Sequence, residues 1–220
     1  MEAFVNRTEA GKNLAAALKD LGKDAIVLAV PRGGVVVGFE VAHILHIPLD
    51  VIITKKIGAP ENPELAIGAV AEDGTYLLDG ALVQMLGISR TYIEAEVLRQ
   101  KTEIKRRLKT YRGDASNLKI AGREVILVDD GVATGSTLKA ALLSLRKRGA
   151  KKVTVAIPVG PVDTIRELKG EADRVVCLLT PDPFYAIGEF YVNFEQTSDQ
   201  EVIALLKRSR QEISDQGTPT

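Results

Sequence analysis

The chain has 220 residues, and its 29 Lys and Arg balance 29 Asp and Glu, leaving zero formal net charge. That length suits one domain with a substantial core, while the charge balance gives no global attraction to nucleic acid or an anionic membrane. The lone Cys177 excludes an internal disulfide and fits a reducing compartment, and no apolar run approaches the ~20 residues that cross a bilayer. With no charged-then-apolar leader at its start, the sequence reads as cytoplasmic.

In chain order, Asn6-x-x-Glu9 forms a capping box for a helix running to 21, with Leu14, Leu18 and Leu21 on its buried side. Residues 25–30 read as a strand, Pro31-Arg32-Gly33-Gly34 as a sharp loop, and 35–46 as a helix. His43 and His46 fall within that helix without any metal-ligand pattern and read as structural. A second strand, 49–54, is followed by Lys55 and Lys56. From there Gly and Pro punctuate the chain, and 65–71 with 75–78 read as a hairpin around Asp73-Gly74. A short helical turn at 82–86 stops at Gly87. Thr91-x-x-Glu94 then caps a long helix, 91–111, with Ile93, Val97, Ile104, Leu108 and Tyr111 near one face. Its other faces carry Arg99, Lys101, Lys105, Arg106, Arg107 and Lys109, which is either a solvated or dimer-forming face or a source of positive field. Regular alternation resumes with strand 124–130, helix 136–148, strand 152–158, helix 162–169 opened by Pro161, and strand 174–179. Cys177 sits in this last strand as inert packing. Residues 181–194 are aromatic and irregular, and Ser198-x-x-Glu201 caps a final helix. There is no internal repeat. Strands alternating with helices predict an α/β, doubly wound, mostly parallel sheet whose ligands sit above the strands' carboxyl ends.

The most informative stretch is 125–137: Val125-Ile126-Leu127-Val128-Asp129-Asp130-Gly131-Val132-Ala133-Thr134-Gly135-Ser136-Thr137. Four branched apolar residues read as a buried strand, and the helix after the loop puts Leu138, Leu142 and Leu145 on one face. A small-residue loop between a strand and a helix N-terminus presents free N–H groups and a favourable dipole to a phosphate. Asp129 and Asp130 would repel that phosphate, so they must serve something beside it, such as sugar hydroxyls or a hydrated cation. Phosphate and diol together describe a phosphorylated ribose. A Walker A loop would need Lys before the final Ser or Thr, and a dinucleotide fingerprint would need Gly-x-Gly-x-x-Gly; neither is present.

This segment resembles the signature of the type I phosphoribosyltransferases, which use phosphoribosyl pyrophosphate (PRPP). The resemblance implies Asp129 and Asp130 as the catalytic pair, bracketing the ribose hydroxyls and holding hydrated Mg²⁺. It implies Ala133, Thr134, Gly135, Ser136 and Thr137 as the 5′-phosphate loop. PRPP carries an anion at each end, so a second anion loop is needed. Arg32, Gly33 and Gly34 are its candidates, since paired glycines let backbone approach an oxyanion and arginine offers forked donors. Lys55 and Lys56 join them near the pyrophosphate, pointing oppositely if strand alternation persists. The family covers its acceptor with a variable hood, here 181–197, where Phe184 and Tyr185 are the candidates for stacking on a base. One domain over 1–212, with an insert at 56–122 and a disordered tail at 213–220, is the implied organisation. The implied activity is transfer of 5-phosphoribosyl from PRPP to a nitrogen nucleophile, a nucleobase, with release of pyrophosphate. The alternative is a non-catalytic PRPP- or nucleotide-sensing regulator on the same fold. Ala133 stands where the 6-oxopurine enzymes typically place an aspartate facing the base, which argues against hypoxanthine and guanine.

Overall fold

Alternate residues of the central apolar runs point to opposite faces of a sheet, and helices cover both. The computed structural model describes residues 3–22, 24–113, 115 and 119–216. Five parallel strands, β1 (Ile26–Ala29), β2 (Leu49–Val51), β6 (Glu124–Val128), β7 (Lys152–Val159) and β8 (Arg174–Leu179), lie in the order β2-β1-β6-β7-β8. Val27, Ala29, Ile126 and Val128 pack against α1 (Arg7–Ala16) and the turn after it, α2 (Gly33–Leu45) and α7 (Asp199–Gln216) through Leu14, Leu18, Val35, Phe39, Val202 and Leu206. Ile26, Leu28, Val125, Leu127 and Val155 pack the other way, against Leu138, Leu142 and Leu145 of α5 (Ser136–Lys147) and Ile165 and Leu168 of α6 (Val162–Glu171). The expected doubly wound parallel sheet is the observed one.

Between β2 and β6 the chain builds a second, antiparallel sheet of β3 (Thr54–Gly58), β4 (Ala66–Ala71) and β5 (Tyr76–Leu78), followed by α3 (Gly80–Met85) and α4 (Arg90–Arg112). The hairpin around Asp73-Gly74 is its β4–β5 pair. One expectation is corrected here. The strand read as 49–54 is two strands in two sheets, because pairing with β1 stops after Ile52 N–H bonds the carbonyl of Ala29. Val51, Ile52 and Ile53 are all buried, so the apolar run continues across a break that no Gly or Pro marks. Lys55 and Lys56 therefore belong to β3 rather than to the end of β2.

Helix boundaries shift for local reasons. Asn6 caps α1 through Glu9 N–H, but the helix ends at Ala16, and Leu18 and Leu21 follow in hydrogen-bonded turns. α2 begins at Gly33, so the paired glycines are its first turn. The cap of α4 is Ser89, which accepts from Tyr92 N–H, rather than Thr91. Ser198 and Glu201 form the expected reciprocal box at α7. That helix runs on to Gln216, past the boundary set at 212, and 217–220 of the expected tail lie outside the described residues. His43 bonds Glu212 at 2.8 Å and stacks on Phe39, and His46 ends α2 at φ 55°, so both are structural. Among the described residues no helix is long and apolar enough to cross a membrane.

Candidate active site

The strand order reverses its direction of growth between β1 and β6: one leads through α2 outward to β2, the other through α5 outward to β7. Adjacent parallel strands at such a switch point open a crevice above their carboxyl ends. Pro31-Arg32-Gly33-Gly34 leaves β1 there, and Asp129 to Thr137 leaves β6. Val30 N–H bonds the carbonyl of Val128 at 2.9 Å, which holds the two loops side by side.

Their contact is closer than ligand access requires. A Cβ on Gly33 would stand 1.9 Å from Asp130 Oδ2, and one on Gly34 would stand 2.9 Å from Asp129 Cα and Oδ1. The glycines are thus filled against the aspartates, leaving the backbone of α2's first turn as their contribution to an anion. The Pro31–Arg32 peptide is cis. Neither α2, with Arg32 at its N-cap, nor α5, with Gly135 there at φ 76°, has a side-chain cap. α1, α3 and α4 are capped by Asn6, Asp79 and Ser89, while α6, opened by Pro161, is uncapped as well. Two uncapped N-termini facing one crevice leave orphan N–H donors and dipole ends for anions.

The Asp129–Thr137 loop is internally braced. Thr164 Oγ1 donates to the carbonyl of Ala133 at 2.6 Å, and the Thr134 and Ser136 hydroxyls lie 3.3 Å apart. Ala133 and Thr134 are exposed, Ser136 and Thr137 half-buried. Asp129 Oδ1 accepts from Asp130 N–H at 2.8 Å. Removal from water, and then the adjacent charge of Asp130, hold the Asp129 carboxyl well above the usual carboxylate range. Asp130 is instead ion-paired, with Arg7 Nε 2.7 Å from its Oδ2.

Arg7 was not apparent from sequence, whereas Tyr191 and Phe194 belong to the aromatic run after the last strand but were ranked behind Phe184 and Tyr185. Tyr191 donates its hydroxyl to the main-chain oxygen of Asp130 at 2.6 Å, and burial pushes its phenol far up. The Arg7 guanidinium lies 3.9 Å from the centroid of Phe194. The only sequence signal available was an arginine in the first turn of a helix, where a cation opposes the dipole. Of the aromatic residues expected over the site, Phe184 stacks on Phe190 at 5.6 Å within the hood, and Tyr185 points outward at 78% exposure.

Lys55 and Lys56 do face opposite ways. Lys55 lines a groove with Arg99, Thr102, Glu103 and Arg106 of α4, where loss of hydration and the Arg107 charge hold its ammonium below the usual value. Lys56 lines a cleft of about 690 Å³ with Leu65, Leu77, Thr134, Ser136 and Lys139. Arg32 sits 3.8 Å from Asp199, which also accepts from the Tyr111 hydroxyl at 2.7 Å. Burial, and then this contact, push the Tyr111 phenol up to about 12.

The model of the phosphoribosyl transferase domain matches residues 5–195. Two curated Mycobacterium tuberculosis proteins, from strains CDC 1551 / Oshkosh and H37Rv, are provisionally named phosphoribosyl transferases and are 44% identical over 218 residues. That alignment takes in 99% of this chain and 49% of each relative, so the chain spans about half the length of the curated relatives it matches. An amidophosphoribosyltransferase of Pyrococcus horikoshii is 35% identical over 109 residues, 48% of this chain and 22% of that protein. The crystal structure of TT1426 from Thermus thermophilus superposes with a TM-score of 0.81 at 41% identity, covering 94% of this chain and 99% of that one.

Proposed function

The chain belongs to the phosphoribosyl transferase domain family, and from that premise we propose a Mg²⁺-dependent transfer of 5-phosphoribosyl from PRPP to a nucleobase nitrogen, releasing pyrophosphate. The observation that carries this reading is the pair of uncapped helix N-termini on either side of Asp129 and Asp130. PRPP has an anion at each end and a diol between, and this arrangement matches it in kind and order.

In this reading Ala133, Thr134, Gly135, Ser136 and Thr137, with the start of α5, hold the 5′-phosphate. Arg32 and the backbone at Gly33 and Gly34 hold pyrophosphate, with Lys55 and Lys56 as further cations at the two flanks. Asp129 and Asp130 meet the ribose hydroxyls. As the C1′–O bond to pyrophosphate breaks, its electron pair leaves with pyrophosphate. The nitrogen lone pair then forms the C1′–N bond with inversion, and the nitrogen's proton passes to solvent. Positive charge that builds on the ribose in between is stabilised by the Asp130 carboxylate. Asp129 and Asp130 offer oxygen donors side by side, a sparse set that fits a hydrated Mg²⁺, which keeps several waters and takes one or two carboxylates. When bound, that ion supplies neutralisation of the departing pyrophosphate. The hood packs Tyr191 and Phe194 against the Arg7–Asp130 pair, closing that side of the ribose site.

Calorimetric titration with PRPP, with and without Mg²⁺, followed by a nucleobase panel read by pyrophosphate release, tests the reading. The expected result is Mg²⁺-dependent binding and release with one base. Replacing Asp129 and Asp130 together with asparagine should cut turnover by at least about 100-fold, with circular dichroism as the fold control. Unchanged turnover in that variant sinks the assignment, and PRPP binding without release from any base moves the protein to the sensing class.

A further inference from the structure

Arg7, the first residue of α1, belongs to neither anion loop, yet its guanidinium reaches Asp130, the start of α2 and the hood. Nε donates to Asp130 Oδ2 at 2.7 Å, and Nη1 donates to the carbonyl of Glu195 at 2.7 Å. The group lies over Phe194 at 3.9 Å, and its Nε would be 2.5 Å from a Cβ on Gly33. The ion pair is well withdrawn from water, with side chains 12% and 14% exposed. The hood grips Asp130 a second time through the Tyr191 hydroxyl, at the main-chain oxygen. Tyr191 is itself joined to the N-terminal segment: Val192 N–H bonds the carbonyl of Phe4 at 2.8 Å, and the Phe4 and Tyr191 rings sit 5.5 Å apart. Asp130 is therefore held at its carboxylate and at its backbone by two segments that are laced to each other.

We propose that Arg7 is a positioning residue that couples the hood to the ribose site: it engages Asp130 Oδ2 and fixes the carboxylate's rotamer for the ligand. This rests on the reading of Asp130 as a ribose contact. A carboxylate already fixed loses less side-chain freedom on binding. The planar guanidinium can bond Asp130 and the Glu195 carbonyl in its own plane while its face rests on Phe194, and a lysine ammonium, a point charge without that plane, does not reproduce all three together. Loss of Arg7 also leaves a carboxylate withdrawn from water without its partner, which is strongly unfavourable. The hood and the ribose carboxylate thus act as one unit: whatever disturbs Phe194 or the N-terminal segment is felt at Asp130.

The test is PRPP binding by calorimetry, without Mg²⁺ and with it, for the wild type and for Arg7→Lys, Arg7→Ala and Phe194→Leu, with circular dichroism as the fold control. Arg7→Lys and Arg7→Ala should bind PRPP about 10- to 100-fold more weakly, by analogy with removal of the outer partner of a metal-holding side chain. Millimolar methylguanidinium should restore binding to Arg7→Ala and not to Arg7→Lys, a response that a purely structural role would not give. Phe194→Leu keeps both charges and should fall between, which carries the test if Arg7→Ala fails to fold. Wild-type affinity in Arg7→Lys, or no loss in Phe194→Leu, overturns the positioning role while leaving the phosphoribosyl reading intact. A wild type that does not bind PRPP overturns both.

Discussion

Gly33 has no room for a side chain. A Cβ there would stand 1.9 Å from Asp130 Oδ2 and 2.5 Å from Arg7 Nε, two charged atoms locked to each other and to the hood. Gly33→Ala must push them apart, and we expect a loss of about 1–3 kcal/mol, typical of overpacking, with PRPP binding weakened about 10- to 100-fold. Gly22, which has nothing within 4 Å of its would-be Cβ, is the control: Gly22→Ala should stay within about 0.5 kcal/mol. Thermal melts and PRPP titrations of the two variants check this, and equal behaviour would mean that the crevice can open around Gly33. The same residue shows what sequence can carry. Paired glycines in a βα turn announce close approach, and that was legible. Which atoms fill the space left by the missing side chains was not: Asp130 and Arg7 lie there at Gly33. Asp129, Asp130 and the loop through Thr137 were legible because they are contiguous and their chemistry is unusual. Arg7 is 123 residues from Asp130, and no local pattern links them.

At the scale of elements, α4 was legible as a long helix because Ile93, Val97, Ile104 and Tyr111 recur at helical spacing, and all four are buried. Its start was misplaced by the presence of two capping candidates in three residues, Ser89 and Thr91. Its charged face is organised around Glu103, which accepts from Arg106 and Arg107; these bonds hold its carboxyl at about 2. A carboxylate depressed in the folded state stabilises above its unfolded value near 4.5 and loses that contribution as pH falls through 2. The difference in melting temperature between the wild type and Glu103→Gln should therefore be constant above about pH 5 and shrink steadily below it. Both arginine partners reach into solvent, so the plateau should be worth at most about 1 kcal/mol and diminish with added salt. Melts across that acid range decide it: a difference that does not change with pH would mean that Glu103 makes no net pairing in the folded protein.

At the scale of the molecule, the insert is tied to the parallel sheet by charges that are out of reach of water. Arg112, the last residue of α4, donates through Nε to both Asp50 oxygens at 3.0 Å and through Nη2 to the carbonyl of Val51 at 2.8 Å. It also lies 3.6 Å from Glu72, just past β4, and Glu72 pairs in turn with Arg148 at the end of α5. Asp50 and Arg112 are 3% and 7% exposed. One cluster thus joins β2, the second sheet, α4 and α5. Such a pair adds little over an apolar isostere, but breaking it strands a buried charge at a cost of about 3–5 kcal/mol. Arg112→Ala and Asp50→Ala should each lower the melting temperature by about 6–20 °C. The double variant should be far less destabilised than the sum, because the second removal takes away the charge that the first one stranded. If the insert and the sheet unfold as one unit, fluorescence and circular dichroism should report one coincident transition in every variant. Additive losses, or a separate early transition for the insert, would mean that the cluster does not couple them. The positions of Lys55 and of the basic face of α4 would then be free to vary against the crevice, whereas a coupled insert holds them at a fixed distance from Arg32 and Asp130.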